Sequence, residues 1–169
     1  AMFRKMFGGE NFFLGKYEHP DGGKLTFAPS IPGHVEHRQL TNNSLNIMAG
    51  GFLACTPGVN IKAKFGGLKA LFSGEGAFLL EASGSGDLFF NSFGGIVEKE
   101  INGEFIVDTG HVVAFDPSLD YKITGMGSFK STMLSGEGMV MRFSGNGKLY
   151  LQTRNVSSIA SWLTPRLLG

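Results

Sequence analysis

Two closely spaced histidines are the first side chains in this sequence that could bind a metal ion. His34 and His37 stand three residues apart in "GHVEHRQ", which we interpret as a strand. Side chains three apart on a strand point to opposite faces, so these imidazoles do not converge on one ion. A looser group follows later, consisting of Asp108, His111, Asp116 and Asp120. Asp116 precedes a proline, as turn residues do, and Asp108 ends a strand, so we predict no metal site.

The residues that could act as nucleophiles have unsuitable neighbours. Ser73 and Ser135 lie in Ser-Gly-Glu-Gly, which lacks the Gly-x-Ser-x-Gly order and the following helix of a nucleophile elbow. Cys55 lies in the apolar segment "FLACT", where an inert buried thiol is expected. The segments "GSGD" (84–87) and "GNGK" (145–148) lack the lysine and helix of a phosphate-binding loop, and we interpret them as hairpin turns. The sequence therefore predicts neither an enzyme nor a bound cofactor.

Four lysines raise the alternative of RNA binding. We place Lys62 and Lys64 on one strand face and align later lysines with them, at Lys69 and Lys130. Phe65 and Phe129 would offer faces for base stacking. However, the formal net charge is only +1, and no block of like charges stands out. We therefore favour a solvated lysine face over nucleic acid binding.

A sequence pattern centred on a glutamate recurs along the chain. It reads "FGGENFF", "FSGEGAFLLEASGSGD" and "LSGEGMVMRFSGNGK", and its glutamates are Glu10, Glu75 and Glu137. We interpret each as a structural carboxylate that accepts hydrogen bonds from turn amides, in preference to a ligand site formed three times. The spacing of about sixty residues predicts one domain built from repeated sheet units. The units cover about 7–71, 72–133 and 134–163, and the last is incomplete.

Short segments of alternating polarity predict strands through most of the chain. In "KLYLQT", Leu149 and Leu151 lie on one face and Tyr150 lies on the other. The dipeptides Asn102-Gly103 and Asn146-Gly147 suit two-residue hairpin turns. These features predict an all-β fold, which we interpret as a β-sandwich or barrel.

One segment near the carboxyl end predicts a short helix. In "SSIASWL", Ile159, Trp162 and Leu163 share a face, and a serine at the start could cap the helix, at Ser157 or Ser158. Pro165 is expected to end it. We expect the apolar face to pack against the β-core or a neighbouring chain, since so short a helix is not stable alone.

The composition is that of a globular chain that forms many turns. Of the 169 residues, 26 are glycine and 16 are phenylalanine, while only 17% are charged. No apolar run has the length of a membrane-spanning helix, and the first residues lack the apolar segment of a secretory signal. A single cysteine excludes an internal disulfide, which fits a reducing compartment. We expect a cytoplasmic protein.

The longest sequence motifs suggest a family. The segments "FIVDTGHVVAFDPSLDYKI", "LYLQTR" and "SIASWLTP" resemble the altered-inheritance-of-mitochondria protein 24 family, and the resemblance covers nearly the whole chain. It implies a β-sandwich of double-stranded β-helix type, similar to the tryptophan RNA-binding attenuation protein, with internal repeats and oligomeric assembly. The mitochondrial relatives are linked to inner-membrane organisation. The resemblance brings no established catalytic residues.

These observations lead to one functional expectation and one alternative. We expect a non-enzymatic, oligomeric scaffold or binding protein that presents surfaces to a protein or membrane partner. The partner of first choice is a second copy of the chain, because few charges and unpaired sheet edges favour association. The repeat count suggests a trimer. The alternative is a ring-like protein that binds single-stranded RNA.

Overall fold

The structure is a computed structural model that describes residues 5–6, 13–65, 78–125 and 139–167. Within these ranges the chain forms ten strands and one α-helix, α1 (Val156–Leu167). The strands are β1 (Lys5–Met6), β2 (Phe13–Leu14), β3 (Val35–Met48), β4 (Phe52–Cys55), β5 (Val59–Phe65), β6 (Phe78–Asn91), β7 (Ile96–Asp108), β8 (Val112–Phe115), β9 (Leu119–Gly125) and β10 (Met139–Gln152). Short 3₁₀ turns lie at Ala49–Gly51 and Thr109–His111.

Eight of these strands form one antiparallel sheet. Its order is β4-β6-β3-β8-β10-β7, with β5 paired to β6 and β9 paired to β10, while β1 and β2 form a separate pair. The prediction of an all-β protein with a short C-terminal helix is therefore confirmed. In the part of the chain that the structure describes, the sheet is open, with β4 and β5 at one edge and β7 at the other.

The sheet consists of two sets of strands with the same order of pairing. In the first half, β3–β6, the strand β3 lies on one edge of β6 while β4 and β5 share the other. In the second half, β7–β10, the strand β7 lies on one edge of β10 while β8 and β9 share the other. The halves meet where β3 pairs with β8, through Asn46 opposite Phe115 and Ile47 opposite Ala114.

Strand β9 shows why these segments fold as strands. Its side chains alternate between a buried or half-buried face, at Leu119, Tyr121 and Ile123, and an exposed face, at Asp120 and Lys122. This alternation matches the two-residue repeat of a strand with one face on the core. In β10 both faces are covered, because Leu149 and Tyr150 are buried in different core clusters.

Each half contributes side chains to the core of the other. The first core cluster is built mainly from the first half, yet it includes Val113, Ala114 and Tyr150 from the second. The Tyr150 ring packs edge-on against Phe90, with 5.4 Å between ring centroids. The second cluster belongs to the second half but includes Leu79 from β6. The hydrophobic core is therefore shared across the β3–β8 contact.

The predicted hairpin turns are wrong, because both Asn-Gly dipeptides lie inside long strands. Asn102 is the cross-strand partner of Asn146, and Gly103 is the partner of Gly145. Gly103 and Gly145 have positive φ angles of 108° and 117°. A positive φ at a glycine is therefore accommodated inside a paired strand here and does not mark a turn. The segments "GSGD" and "GNGK" are likewise parts of β6 and β10, not hairpin turns.

Glycines in β6 and β10 leave space for the turns that cross them. A Cβ on Gly84 would lie 2.3 Å from the carbonyl oxygen of Gly58, in the turn between β4 and β5. A Cβ on Gly147 would lie 2.7 Å from the Ser118 hydroxyl, in the turn between β8 and β9. Any larger residue at Gly84 would push this turn away from the strand.

Helix α1 differs from its prediction at both ends. The side-chain oxygen of Asn155, and not a serine, caps its first turn, since it accepts from the backbone nitrogen of Ser157 at 2.9 Å and of Ser158 at 3.4 Å. Pro165 lies inside the helix, which continues to Leu167. All its side chains are exposed, including Trp162 at 59%. The apolar face does not pack on the described β-core, so packing on a neighbouring chain stays a prediction.

Parts of the predicted repeat fall outside the described residues. This applies to the glutamates Glu10, Glu75 and Glu137, to Ser73 and Ser135, and to Lys69, Lys130 and Phe129. The structural role of these glutamates and the division into three repeat units stay predictions.

Candidate functional site

Five polar side chains meet where the two halves join. They are Arg38 of β3, Glu98 of β7, Asp116 of the turn after β8, and Lys148 and Tyr150 of β10, and we call them the polar joint. The Arg38 guanidinium lies 3.2 Å from the Asp116 carboxylate and donates to the Tyr150 hydroxyl at 2.9 Å. The Arg38 and Asp116 side chains are only 24% and 19% exposed. Water therefore screens their attraction less than it would screen a surface pair.

The position of Asp116 follows from the turn that contains it. Its backbone nitrogen donates to the Lys148 carbonyl at 2.9 Å, and its carboxylate accepts from the Lys148 backbone nitrogen at 2.9 Å. The Leu119 nitrogen closes the turn by donating to the Asp116 carbonyl at 3.1 Å. The backbone of Asp116 thus closes its own turn, while its carboxylate binds the neighbouring strand β10 and the Arg38 side chain of the other half. The turn role predicted for Asp116 agrees with this geometry, but its contact with Arg38 was not foreseen.

The remaining members of the joint perturb one another's ionisation. The Lys148 ammonium donates to the Glu98 carboxylate at 2.6 Å, and this hydrogen bond lowers the pKa of Glu98 and raises that of Lys148. Burial raises the pKa of the Tyr150 phenol, the Arg38 cation opposes the rise, and Glu98 adds to it. Tyr150 therefore keeps its proton at neutral pH, where it accepts a hydrogen bond from Arg38. This arrangement suits cross-linking of strands better than proton abstraction, which needs a base that is free of its proton.

The histidines near the start of β3 bind separate carboxylates. A ring nitrogen of His34 lies 3.2 Å from Glu36, and a ring nitrogen of His37 lies 2.8 Å from Asp87. The His37 ring also stacks on Phe89, with 4.8 Å between ring centroids. These pairs are exposed, and neither brings the two histidines together on one ion.

The second group of possible metal ligands is also separated by its hydrogen bonds. Asp108 accepts from the Gly110 nitrogen at 2.7 Å and caps a 3₁₀ turn, while His111 bonds the Gln152 carbonyl at 2.8 Å. Asp116 belongs to the polar joint, and Asp120 is exposed on β9. In the described ranges no three His, Cys, Asp or Glu side chains come close enough to hold a metal ion.

Cys55 has the surroundings of a structural thiol. It lies at the end of β4, is half-buried beside the first core cluster, and its sulfur donates to the Val59 carbonyl at 3.8 Å. Burial raises its pKa, which leaves less thiolate at neutral pH and so lowers its reactivity.

The two described lysines of the proposed RNA surface lie beside a carboxylate. Lys62 is the cross-strand partner of Glu81, and Lys64 forms an ion pair with Glu81. Both lysines are exposed and point to the same side of β5. Glu81 reduces the positive potential that a polyanion would meet there.

Sequence reasoning missed the exposed apolar side chains on the outer strand β7. Ile106 and Val97 are each 50% exposed, although β7 is paired with β10 along its whole length. The sequence predicted a hairpin turn at Asn102-Gly103, inside this strand, and it could not show that no described strand lies along the second edge of β7. The free edge therefore became visible only in the structure.

The fold and the polar joint define a class of protein: an all-β chain with an open antiparallel sheet, whose polar side chains tie two similarly paired halves together. The family model described as "Mitochondrial biogenesis AIM24" matches residues 1–154. The chain therefore belongs to this family, which confirms the resemblance found in its sequence.

Two streptococcal proteins are similar to this chain. An uncharacterised protein of Streptococcus pyogenes serotype M6 is 34% identical over 166 residues, which are 96% of this chain and 67% of that protein. The X-ray crystal structure of a Streptococcus pyogenes protein superposes with a TM-score of 0.73 at 31% identity, and it covers 82% of this chain. The match spans 62% of that solved chain, which is less than two thirds of its length.

Helix α1 has twelve residues, and the described part of the chain contains no helix that is long and apolar enough to cross a membrane.

Proposed function

We propose that this protein is a non-enzymatic scaffold or binding protein that acts as a homo-oligomer and presents its sheet surfaces to a protein or membrane partner. One observation carries the proposal: the charged and phenolic side chains of the polar joint bond one strand to another. Arg38 and Asp116 connect the halves, and Tyr150 keeps its proton between them. Within the polar joint, the carboxylates of Asp116 and Glu98 are bonded to Arg38 and Lys148, which supports a structural role for these side chains.

The finer architecture belongs to the same proposal. We propose a β-sandwich of double-stranded β-helix type, similar to the tryptophan RNA-binding attenuation protein, built from repeat units at about 7–71, 72–133 and 134–163. The equal pairing order of the two halves supports a repeated unit. A cytoplasmic location is supported by the single, half-buried cysteine.

Light scattering after size-exclusion chromatography tests the assembly. We expect a mass above that of one 18.1 kDa chain at micromolar concentration, with a trimer as first expectation. A monomer would contradict the proposal, and a dimer would remove the three-fold assembly while leaving association in place. Sedimentation with vesicles of phosphatidylglycerol and phosphatidylcholine, against phosphatidylcholine alone, then separates a membrane partner from a protein partner.

The alternative function is binding of single-stranded RNA by a ring-like assembly. The observation in its favour is that Lys62 and Lys64 lie exposed on one face of β5. A gel shift with poly(U) that weakens as salt rises would support it, provided that Lys62→Ala/Lys64→Ala abolishes the shift. The matched control is Lys16→Ala/Lys24→Ala, which removes the same charge from an exposed segment outside the sheet.

A further inference from the structure

The two halves join through one edge of β3 and one edge of β8, and the equivalent edges of the outer strands have no partner in the described residues. In the contact, β3 offers its free edge to β8. The strand placed like β3 in the second half is β7, and the strand placed like β8 in the first half is β4. Each of these outer strands pairs on one side only within the described residues. One molecule therefore carries both edges of a second contact of the same kind.

The cross-strand register identifies the residues that would meet. Strands β6 and β10 each contain a Gly-x-Gly sequence, which begins at residue 84 in β6 and at residue 145 in β10. Leu80 and Met141 lie four residues before these glycines, so they correspond to each other. Their cross-strand partners are Ile47 and Val107. Asn46 therefore corresponds to Ile106. By the same comparison, Leu88 of β6 corresponds to Leu149 of β10. Leu88 pairs with Cys55 of β4, and Leu149 pairs with Phe115 of β8. The pair Asn46–Phe115 of the contact thus corresponds to Ile106 and Cys55.

We propose that β7 of one copy pairs antiparallel with β4 of a second copy, in the register of the β3–β8 contact, with Ile106 opposite Cys55 of the second copy. The proposal rests on the oligomeric function proposed above and identifies the surfaces that carry it. The exposure of the side chains agrees with it: Asn46 in the internal contact is 5% exposed, while its counterpart Ile106 is 50% exposed. A second copy would remove this apolar side chain from water and satisfy the edge of β7.

The polar joint has a weaker counterpart at the same place. Arg38 corresponds to Lys99, since their partners are Leu88 and Leu149. Tyr150 corresponds in the same way to Phe89, which is half-buried. Lys99 of one copy would therefore lie near the Phe89 ring of the second copy. The counterpart of Asp116 is Thr56, which brings no carboxylate. The contact between copies is therefore expected to be weaker than the contact within a chain, and association should depend on protein concentration.

Because the two edges differ, each copy can contact two others. Such head-to-tail contacts close into a ring when the rotation between copies divides a full turn, and otherwise they extend into a filament. This geometry does not fit a two-fold symmetric dimer.

A disulfide between copies tests the register. Residues directly opposite each other in antiparallel strands have Cα atoms about 4.5–5.5 Å apart, which lies in the range that a disulfide spans. Because Cys55 is the only cysteine, Ile106→Cys provides one new partner. After oxidation with copper–phenanthroline at about pH 8.5, we expect most chains of this variant to run as covalent dimers and higher species on a non-reducing gel.

Two controls give the result its meaning. Val97→Cys has the same 50% exposure on the same strand but lies at its other end, so it should remain at least fivefold less cross-linked. Ile106→Cys combined with Cys55→Ala should lose the Cys55-dependent species. Circular dichroism of each variant verifies that the sheet has formed.

The outcomes separate this proposal from the more general one. Equal cross-linking of Ile106→Cys and Val97→Cys, or none in a protein that still elutes as an oligomer, overturns the β7–β4 pairing while leaving assembly in place. A disulfide within a single chain also overturns it, because the two edges would then meet in one molecule. If the wild-type protein, without cross-linking, scatters light as a monomer, both the β7–β4 pairing and the proposed oligomeric function are overturned.

Discussion

Among the side-chain hydrogen bonds of the described residues, the one from Arg38 to Tyr150 spans the longest stretch of sequence, 112 residues. Arg38 connects β3 to an aspartate and a tyrosine of the second half, so neither partner is near it in sequence. We expect Arg38→Ala to lower the free energy of unfolding by about 2 kcal/mol, as the loss of charged hydrogen bonds at a half-buried site does. Urea denaturation provides the measurement.

Arg142 offers the matched control for this prediction. Its guanidinium lies 3.5 Å from Glu104, but both side chains are at least half exposed. Exposed pairs contribute about 0–1 kcal/mol, so Arg142→Ala should change the unfolding midpoint little. Equal losses in the two variants would show that the polar joint has no special stabilising role.

The raised pKa of Tyr150 predicts that the folded protein loses stability in alkali. This pKa is raised in the folded protein, so folding favours the protonated phenol. The resulting stability is fully present below the ordinary value of about 10 and is lost as pH rises through the higher folded value. As pH rises above about 10, the melting temperature of the wild type should therefore fall more steeply than that of Tyr150→Phe. The contribution is at most about 1.4 kcal/mol per pH unit.

Absorbance at 295 nm provides an independent check. Subtracting the Tyr150→Phe titration from that of the wild type should leave one phenol that ionises above its usual pH. If the difference curve has its midpoint at or below pH 10, the phenol is not desolvated as the structure indicates.

Among the elements, the strands β6 and β7 allow a comparison of two glycines. Both Gly84 and Gly103 have positive φ, at 124° and 108°. A Cβ on Gly84 would clash with the Gly58 carbonyl, whereas a Cβ on Gly103 meets nothing within 4 Å. Gly103→Ala should cost about 1–3 kcal/mol of stability from backbone strain alone, and Gly84→Ala should cost more. Thermal melts of the two variants compare them, and a Gly103→Ala that is the less stable of the two would contradict the close-packed turn.

The elements also show what could be predicted from the sequence. Alternation in "KLYLQT" identified only the last part of β10, from Lys148 onward, because a strand with distinct faces leaves that pattern in its residues. The Asn-Gly dipeptides were misread, since a glycine with positive φ, such as Gly103, fits inside a long strand as well as in a hairpin turn. Only the partner strand decides between them, and Gly103 lies opposite Gly145 across the sheet.

The polar joint could be predicted only in part. The Asp-Pro sequence marks the turn at Asp116, because local hydrogen bonds favour that residue type there. Its partner Arg38 lies in another half of the sheet, and no local pattern encodes such a distant pair. The helix cap at Asn155 was missed for a smaller reason, since two serines just after it are equally good cap residues.

At the scale of the whole molecule, the shared core predicts a single unfolding transition. Ile61 is buried in the first cluster, Met141 is buried in the second, and side chains from each half complete the core of the other. Ile61→Ala and Met141→Ala should each cost about 2–5 kcal/mol and shift the whole transition, whichever half carries the change.

Calorimetry distinguishes this result from independent halves. A cooperative molecule gives one peak whose calorimetric and van't Hoff enthalpies agree, in the wild type and in both variants. Two peaks, of which only one moves in each variant, would mean that the halves fold separately and that the β3–β8 contact is a weak interface.

The edge of β3 has a consequence for the protein as the ribosome makes it. The first half is complete once Asn91 has left the exit tunnel, but Phe115 and Tyr150, which cover that half, are translated later. At elongation rates of about 5–20 residues per second, the nascent chain waits roughly 3 to 12 seconds for Tyr150. During that time β3 can accept β8 from a neighbour on the same messenger RNA. Dense polysomes therefore carry a risk of strand-exchanged pairs, and chaperones that bind nascent chains would reduce it.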